Sequence, residues 1–274
     1  MKKLLKSGIF LMVMVLILAP TFTQAFNSAA HTFIAERVYK GCWQKIDLRY
    51  GSIAPDLALL EPWNGAYEDT HLIYADLRSY VWRWSSAQRA FAKGWWTHGI
   101  ADSYADEYIY SKIVENPDFL AAIAAVLDGD VGDAVKLAHY AIEKALDVLL
   151  KDEYPGLALN LLNAVLLRSW QDRSLLVKVF VWEAGRTDWL TMVETESAFR
   201  HLDCRYAVAL ALSSLSDVTP LAELGEQLAS EWYDIDISAD DLADILNAAI
   251  VLCGEDYEAA IESTIEEIRL ALGL

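Results

Sequence analysis

The chain has 274 residues, 55% of them apolar and 23% charged, so it has the material for a large buried core and does not read as disordered. Its formal net charge of −18 excludes an electrostatic footprint for duplex nucleic acid and gives no general attraction to anionic membranes. Cys42, Cys204 and Cys253 are too few and too far apart for a disulfide framework; one bridge or three buried free thiols both fit.

Residues 1–25 read as a secretory signal peptide. Lys2, Lys3 and Lys6 form a positive start, Ile9–Ala19 is an apolar run, Pro20 breaks it, and Thr23-Gln24-Ala25 resembles a small-x-small cleavage site. The run is too short to cross a bilayer comfortably, which favours a secreted or extracytoplasmic protein with a single domain over residues 26–274. Cleavage after Ala25 would make Phe26 the new amino terminus.

A helix is predicted from Ser28, its cap, to about Tyr39, with His31 in the first turns. Alone, His31 reads as an ordinary half-exposed helix residue. Gly51 and Pro55 mark Gly51–Asp56 as a loop or turn, where Asp56 either caps the next segment or is a carboxylate held on a rigid Pro-Asp corner. Glu61–Gly65 reads as an irregular loop. A long helix is then predicted from Asp69 to about Lys93, with His71 in its first turn, where the positive helix end suits a neutral imidazole. Gly94 is expected to break it. Trp82, Trp84, Trp95 and Trp96 crowd this region, as core or as the wall of a groove for an acyl chain or a base.

His98 and Asp102 follow on a predicted helix. At a spacing of four their Cβ atoms lie roughly 5–6 Å apart on one face. An imidazole nitrogen and a carboxylate so placed can share one divalent cation, and the second carboxylate oxygen can reach another. His139 and Glu143 repeat the spacing on an amphipathic helix predicted for Ala134–Lys151, beside the apolar stripe Val135, Ala138, Ile142, Ala145, Leu146 and Leu149. Between these pairs, Asp118–Leu127 reads as a short apolar helix ended by Asp128-Gly129-Asp130, which lacks the remaining ligands of a calcium loop.

From Pro155 onward the pattern is helix after helix, near Gly156–Trp170, Ser174–Ala184, Ser197–Ser213, Pro220–Trp232, Ala239–Leu252 and Tyr257–Leu272. His201 has no partner motif and reads as structural or surface. No strand pattern is present, and no GxSxG, P-loop or GxGxxG, so serine hydrolase, NTPase and dinucleotide readings lack support. The residues alone describe an all-α exported protein with a multi-metal site in its amino-terminal half (about 26–150), followed by a helical half (about 155–274).

Ser52-Ile53-Ala54-Pro55-Asp56 with the two His pairs resembles the zinc-dependent phospholipase C family and, more distantly, single-strand-acting zinc nucleases; the likeness covers roughly Phe26 to Leu150. It implies a compact all-helical single domain holding two to three zinc ions. It assigns Phe26, His31, Asp56, His71, His98, Asp102, His139 and Glu143 as metal ligands, Phe26 through its backbone and Asp102 as the bridge. It implies hydrolysis of a phospholipid or another phosphodiester by a zinc-activated water, Asp56 also accepting the proton, with transient membrane-surface contact. Tyr108 stands where the family has a further His, so the third site keeps two of its three protein ligands. Asp106 and Asp147, each one turn beyond a ligand, are the candidates to replace it. The alternatives are a related nuclease and a non-catalytic helical protein that keeps a partial metal site.

Overall fold

The computed structural model describes residues 28–60, 62–63, 70–71, 77, 85–233 and 235–274. These residues form helices and turns without a strand, as the pattern predicted; one isolated bridge joins Ser214 and Asp217. Phe26, the signal segment, Trp82 and Trp84 lie outside the described residues.

Helix α1, Ser28–Val38, is buried along nearly its whole length, from Ala29 and Ala30 through Phe33, Ile34 and Ala35. A helix covered on nearly every side lies inside the fold. It packs on α2 (Lys45–Ile53) and α3 (Ser86–Glu115), and also on α5 (Val131–Glu153), α6 (Leu157–Leu167) and α11 (Tyr257–Leu272). His31 is therefore 1% exposed, not the half-exposed residue that its local sequence suggested.

Two expectations about glycine are overturned together. Gly51 lies inside α2, which runs on into a 3-10 turn over Ala54–Leu59, and Gly94 lies inside the 30-residue α3. The helix start falls instead at Ser85, where a capping box pairs Ser85 with Gln88. The reason is tertiary. α2 and α3 cross with their backbones in contact: a Cβ on Gly94 would run into the Leu48 carbonyl oxygen and lie 2.7 Å from the Ser52 nitrogen, and one on Gly51 would meet the Phe91 backbone. Glycine is required here for close approach, at the modest cost of weaker helix propensity.

The remaining helices are α4 (Pro117–Val126), α7 (Trp170–Leu176), α8 (Trp189–Leu212), α9 (Thr219–Tyr233) and α10 (Ala239–Cys253). α7 continues into a wider π-helical stretch over Val177–Glu183. The turn Asp128-Gly129 has positive φ at both residues and ends α4 as the sequence indicated. The three cysteines are free thiols. No helix among the described residues is long and apolar enough to cross a membrane.

Candidate metal centre

Five predicted ligands converge from four elements. His31 comes from α1, Asp56 from the 3-10 turn, His71 from the short described segment 70–71, and His98 and Asp102 from α3. All five are at least 94% buried. Their ligand atoms form two overlapping groups, His31–Asp56–His98 and His71–His98–Asp102, in each of which the atoms lie within 4.8 Å of one another.

His98 is the hub. Its Nδ1 donates to the Ser52 carbonyl oxygen at 2.7 Å, and a carbonyl can only accept, so the ring is oriented and Nε2 points into the cluster. The Gly51–Gly94 contact puts that carbonyl within reach, because Ser52 follows Gly51 and α3 carries both Gly94 and His98. His98 Nε2 lies 3.0 Å from His71 Nε2, 3.2 Å from Asp102 Oδ2 and 3.3 Å from Asp56 Oδ1. His71 Nε2 is 3.5 Å from Asp56 Oδ1 and 3.4 Å from Asp102 Oδ2, and its Nδ1 is 2.9 Å from Thr70 Oγ1. His31 Nε2 reaches Asp102 Oδ1 at 3.1 Å, and its ring stacks on His98 with centroids 4.1 Å apart.

The charge pattern suits a cation. Burial, and the neighbouring His98, lower the His31 pKa despite Asp102, so that ring is held neutral. Burial opposes ionisation of Asp56, but His98 and His71 outweigh it and bring the carboxyl down to about 2. Asp102 is likewise lowered against burial, by His98 and His31. Burial also opposes charge on His98, yet Asp102 and Asp56 raise its pKa well above the ordinary value. Two ionised carboxylates thus draw one proton onto the cluster, and a divalent cation would displace it. Asp56 Oδ1 and both Asp102 oxygens are buried without a hydrogen bond beyond these imidazole contacts. Facing nitrogens and carboxylate oxygens at this density are what a metal ion organises, so these buried groups can hold one.

His139 and Glu143 stand apart from this cluster. They pair on α5, Nε2 to Oε1 at 3.0 Å, and both are buried. Of the two candidate replacements for the missing His, Asp106 lies 3.9 Å from His139 Nε2. Asp147 is engaged elsewhere: it accepts the backbone N–H groups of Ala29 and Ala30 and the Tyr206 hydroxyl. Tyr108 is turned away, its hydroxyl donating to Asp256 at 2.8 Å.

Asp147 is also what caps α1, in place of Ser28. Ser28 is itself helical, and its hydroxyl donates to Asp203 at 2.8 Å. Lys144 lies in the same buried layer, near Glu143 and over the rings of Tyr140 and Tyr206. Burial pushes Asp147 up to about 6 and Asp203 up to about 7, while Lys144 is pushed down. Asp203 and Tyr206 belong to α8, so the carboxy-terminal half helps to position the helix that carries His31. Sequence reasoning missed these roles, and those of Ser52 and Thr70, because they depend on distant packing or on backbone atoms. His201 is exposed.

No protein-family model, curated protein or solved structure matches the chain.

Proposed function

We propose that the chain is an exported, zinc-dependent phosphodiester hydrolase of the phospholipase C type, in which removal of residues 1–25 frees Phe26 near His31. The observation that carries this reading is the buried convergence of three imidazoles and two carboxylates around His98 Nε2. This mixed nitrogen and oxygen donor set suits zinc. His31, Asp56, His71, His98 and Asp102 would hold the metal, and His139, Glu143 and Asp106 a further ion. Bound zinc would supply Lewis-acid charge for the phosphate oxygens and raise the acidity of water. Asp56 is the proton acceptor at Oδ1. Its lowered pKa keeps it ionised at neutral pH, and the burial of all five side chains keeps bulk solvent from them. Ser52 and Thr70 orient the two rings that face it.

The test is hydrolysis of phosphatidylcholine and of bis(p-nitrophenyl) phosphate by zinc-loaded protein secreted with its own signal. The expected result is turnover that chelation abolishes and zinc restores, and that Asp56→Asn reduces by a factor of about 100 or more. Zinc bound at full stoichiometry with no turnover of either substrate refutes the hydrolase. One observation favours a second reading, a metal site that stabilises without catalysing: Tyr108 is committed to Asp256, so the His139–Glu143 pair has only Asp106, 3.9 Å from His139, to complete it.

A further inference from the structure

We propose that Asp147 is a positioning residue of the metal centre: held by Tyr206, it fixes the register of α1, and through that register it sets how tightly His31 binds metal. The inference rests on the metal centre and is independent of whether the centre hydrolyses a phosphodiester.

α1 starts inside the protein, with Ser28, Ala29 and Ala30 all buried. The first N–H groups of a helix have no partner within it, so a buried start needs an acceptor from elsewhere. Asp147 supplies one from α5. Its Oδ2 accepts from Ala29 N–H at 3.2 Å and its Oδ1 from Ala30 N–H at 2.8 Å, while Tyr206 donates its hydroxyl to Oδ2 at 2.7 Å. A fully buried carboxylate thus grips two successive peptides and is itself held from α8. One turn before Tyr206 on α8, Asp203 accepts the Ser28 hydroxyl at 2.8 Å. α8 therefore secures the start of α1 at two points.

Directional bonds matter here because the packing of α1 is poor at fixing its register. Ala29, Ala30 and Ala35 make up much of its buried surface, and alanine rows form shallower ridges than large side chains do, so they resist sliding less. His31 directly follows Ala30. A helix advances about 1.5 Å and turns about 100° per residue, so even a fraction of a one-residue slip moves the imidazole by more than the roughly 0.2 Å that metal–ligand distances tolerate. In the observed register His31 Nε2 stands 3.1 Å from Asp102 Oδ1, and its ring centroid 4.1 Å from that of His98. His98 and His71 are oriented through their own rings, by the Ser52 carbonyl and the Thr70 hydroxyl. The clamp on Ala30 adds control of His31 through the backbone. His31 belongs to one of the two converging ligand groups, so a lost register leaves metal to the other, His71, His98 and Asp102.

The test is metal binding, read as the zinc dissociation constant in competition with a chromophoric chelator and as the d–d absorption spectrum of bound cobalt. Asp147→Ala should weaken zinc binding by about 10–100-fold, the range for residues that orient a ligand, and its cobalt spectrum should approach that of His31→Ala. Asp147→Asn keeps an acceptor for one N–H and should lose less. Tyr206→Phe removes only the hydroxyl that steadies Asp147 and should lose least, by a few-fold. Two controls separate positioning from stability alone. With His31→Ala in place, Tyr206→Phe should cause no further loss of affinity, because the residue it acts through is gone. Leu246→Ala opens a cavity on α10, which packs on α4, α5 and α9, and should lower the melting temperature with zinc affinity unchanged. The proposal is overturned if Asp147→Ala binds zinc like the wild type, if Leu246→Ala loses as much affinity, or if Tyr206→Phe costs the same with His31 absent as present. Should Asp147→Ala fail to fold, unchanged affinity and spectrum in Tyr206→Phe overturn it. A wild type that binds neither metal refutes the metal centre and the proposal with it. Binding that depends on Asp147, without hydrolysis of either substrate, supports the proposal and refutes the hydrolase alone.

Discussion

Replacing His98 with alanine perturbs the centre at its hub. In the metal-free protein His98 is the positive partner of Asp56 and Asp102, 3.3 and 3.2 Å away, and all three are buried. Removing one member of a buried charged set leaves the others uncompensated, at a cost of about 3–5 kcal/mol. For a chain of this size 1 kcal/mol shifts the melting temperature by about 2–4 °C, so the metal-free variant should melt about 6–20 °C lower. Zinc acts separately. At a thousandfold excess over its dissociation constant it adds about 4 kcal/mol, or about 8–16 °C, to the wild type. His98 is common to both converging ligand groups, so a hundredfold affinity loss would remove about 2.7 kcal/mol and more than half of that rise. The assay is differential scanning calorimetry with chelator and then with zinc, for both proteins. A variant that melts like the wild type without metal, or that gains as much from zinc, would refute the account of His98 as hub.

Three further outcomes follow from the geometry. Asp172 is fully buried, and burial with the adjacent Asp47 carboxyl pushes it up to about 10, so the folded state keeps a proton that the unfolded chain releases above about pH 4. Asp172 should therefore contribute a fall in stability of about 1.4 kcal/mol per unit between about pH 4 and 10, and Asp172→Asn should flatten the profile by that amount in urea titrations, leaving the slope that Asp147 and Asp203 add below about pH 7; parallel profiles would exclude it. Gly94→Ala would drive a methyl group into the α2 backbone and should cost more than the roughly 1–3 kcal/mol of ordinary overpacking, whereas Gly41→Ala, with nothing within 4 Å, should change stability by less than about 0.5 kcal/mol. Asp106→Asn should lower zinc content by up to one ion per chain with little change in melting temperature, because Asp106 is partly exposed and 3.9 Å from His139; unchanged zinc content would remove Asp106 from the ligand set.

The helical class was legible because period and punctuation are local. Asp128-Gly129 ended α4 as read, and α5 and most helices after Pro155 fell close to their predicted places, while α7 starts at Trp170 rather than Ser174 and α8 at Trp189 rather than Ser197, where Ser169 and Asp188 cap them. His98–Asp102 and His139–Glu143 were legible for the same reason: a spacing of four on a helix places two side chains on one face whatever surrounds it. What Gly51 and Gly94 do was not legible. A glycine that breaks a helix and one that lets two helices touch look identical until the partner backbone is in place, and here the partner decided for contact. The same holds for His31, whose burial comes from the elements packed around α1, and for Asp147, which the i,i+4 ladder offered as a ligand but which the α1 N–H groups and Tyr206 claim instead. Local sequence determined which residues could bind a cation and on which helices they ride. Only tertiary structure decided which of them meet, because convergence depends on where distant backbones cross.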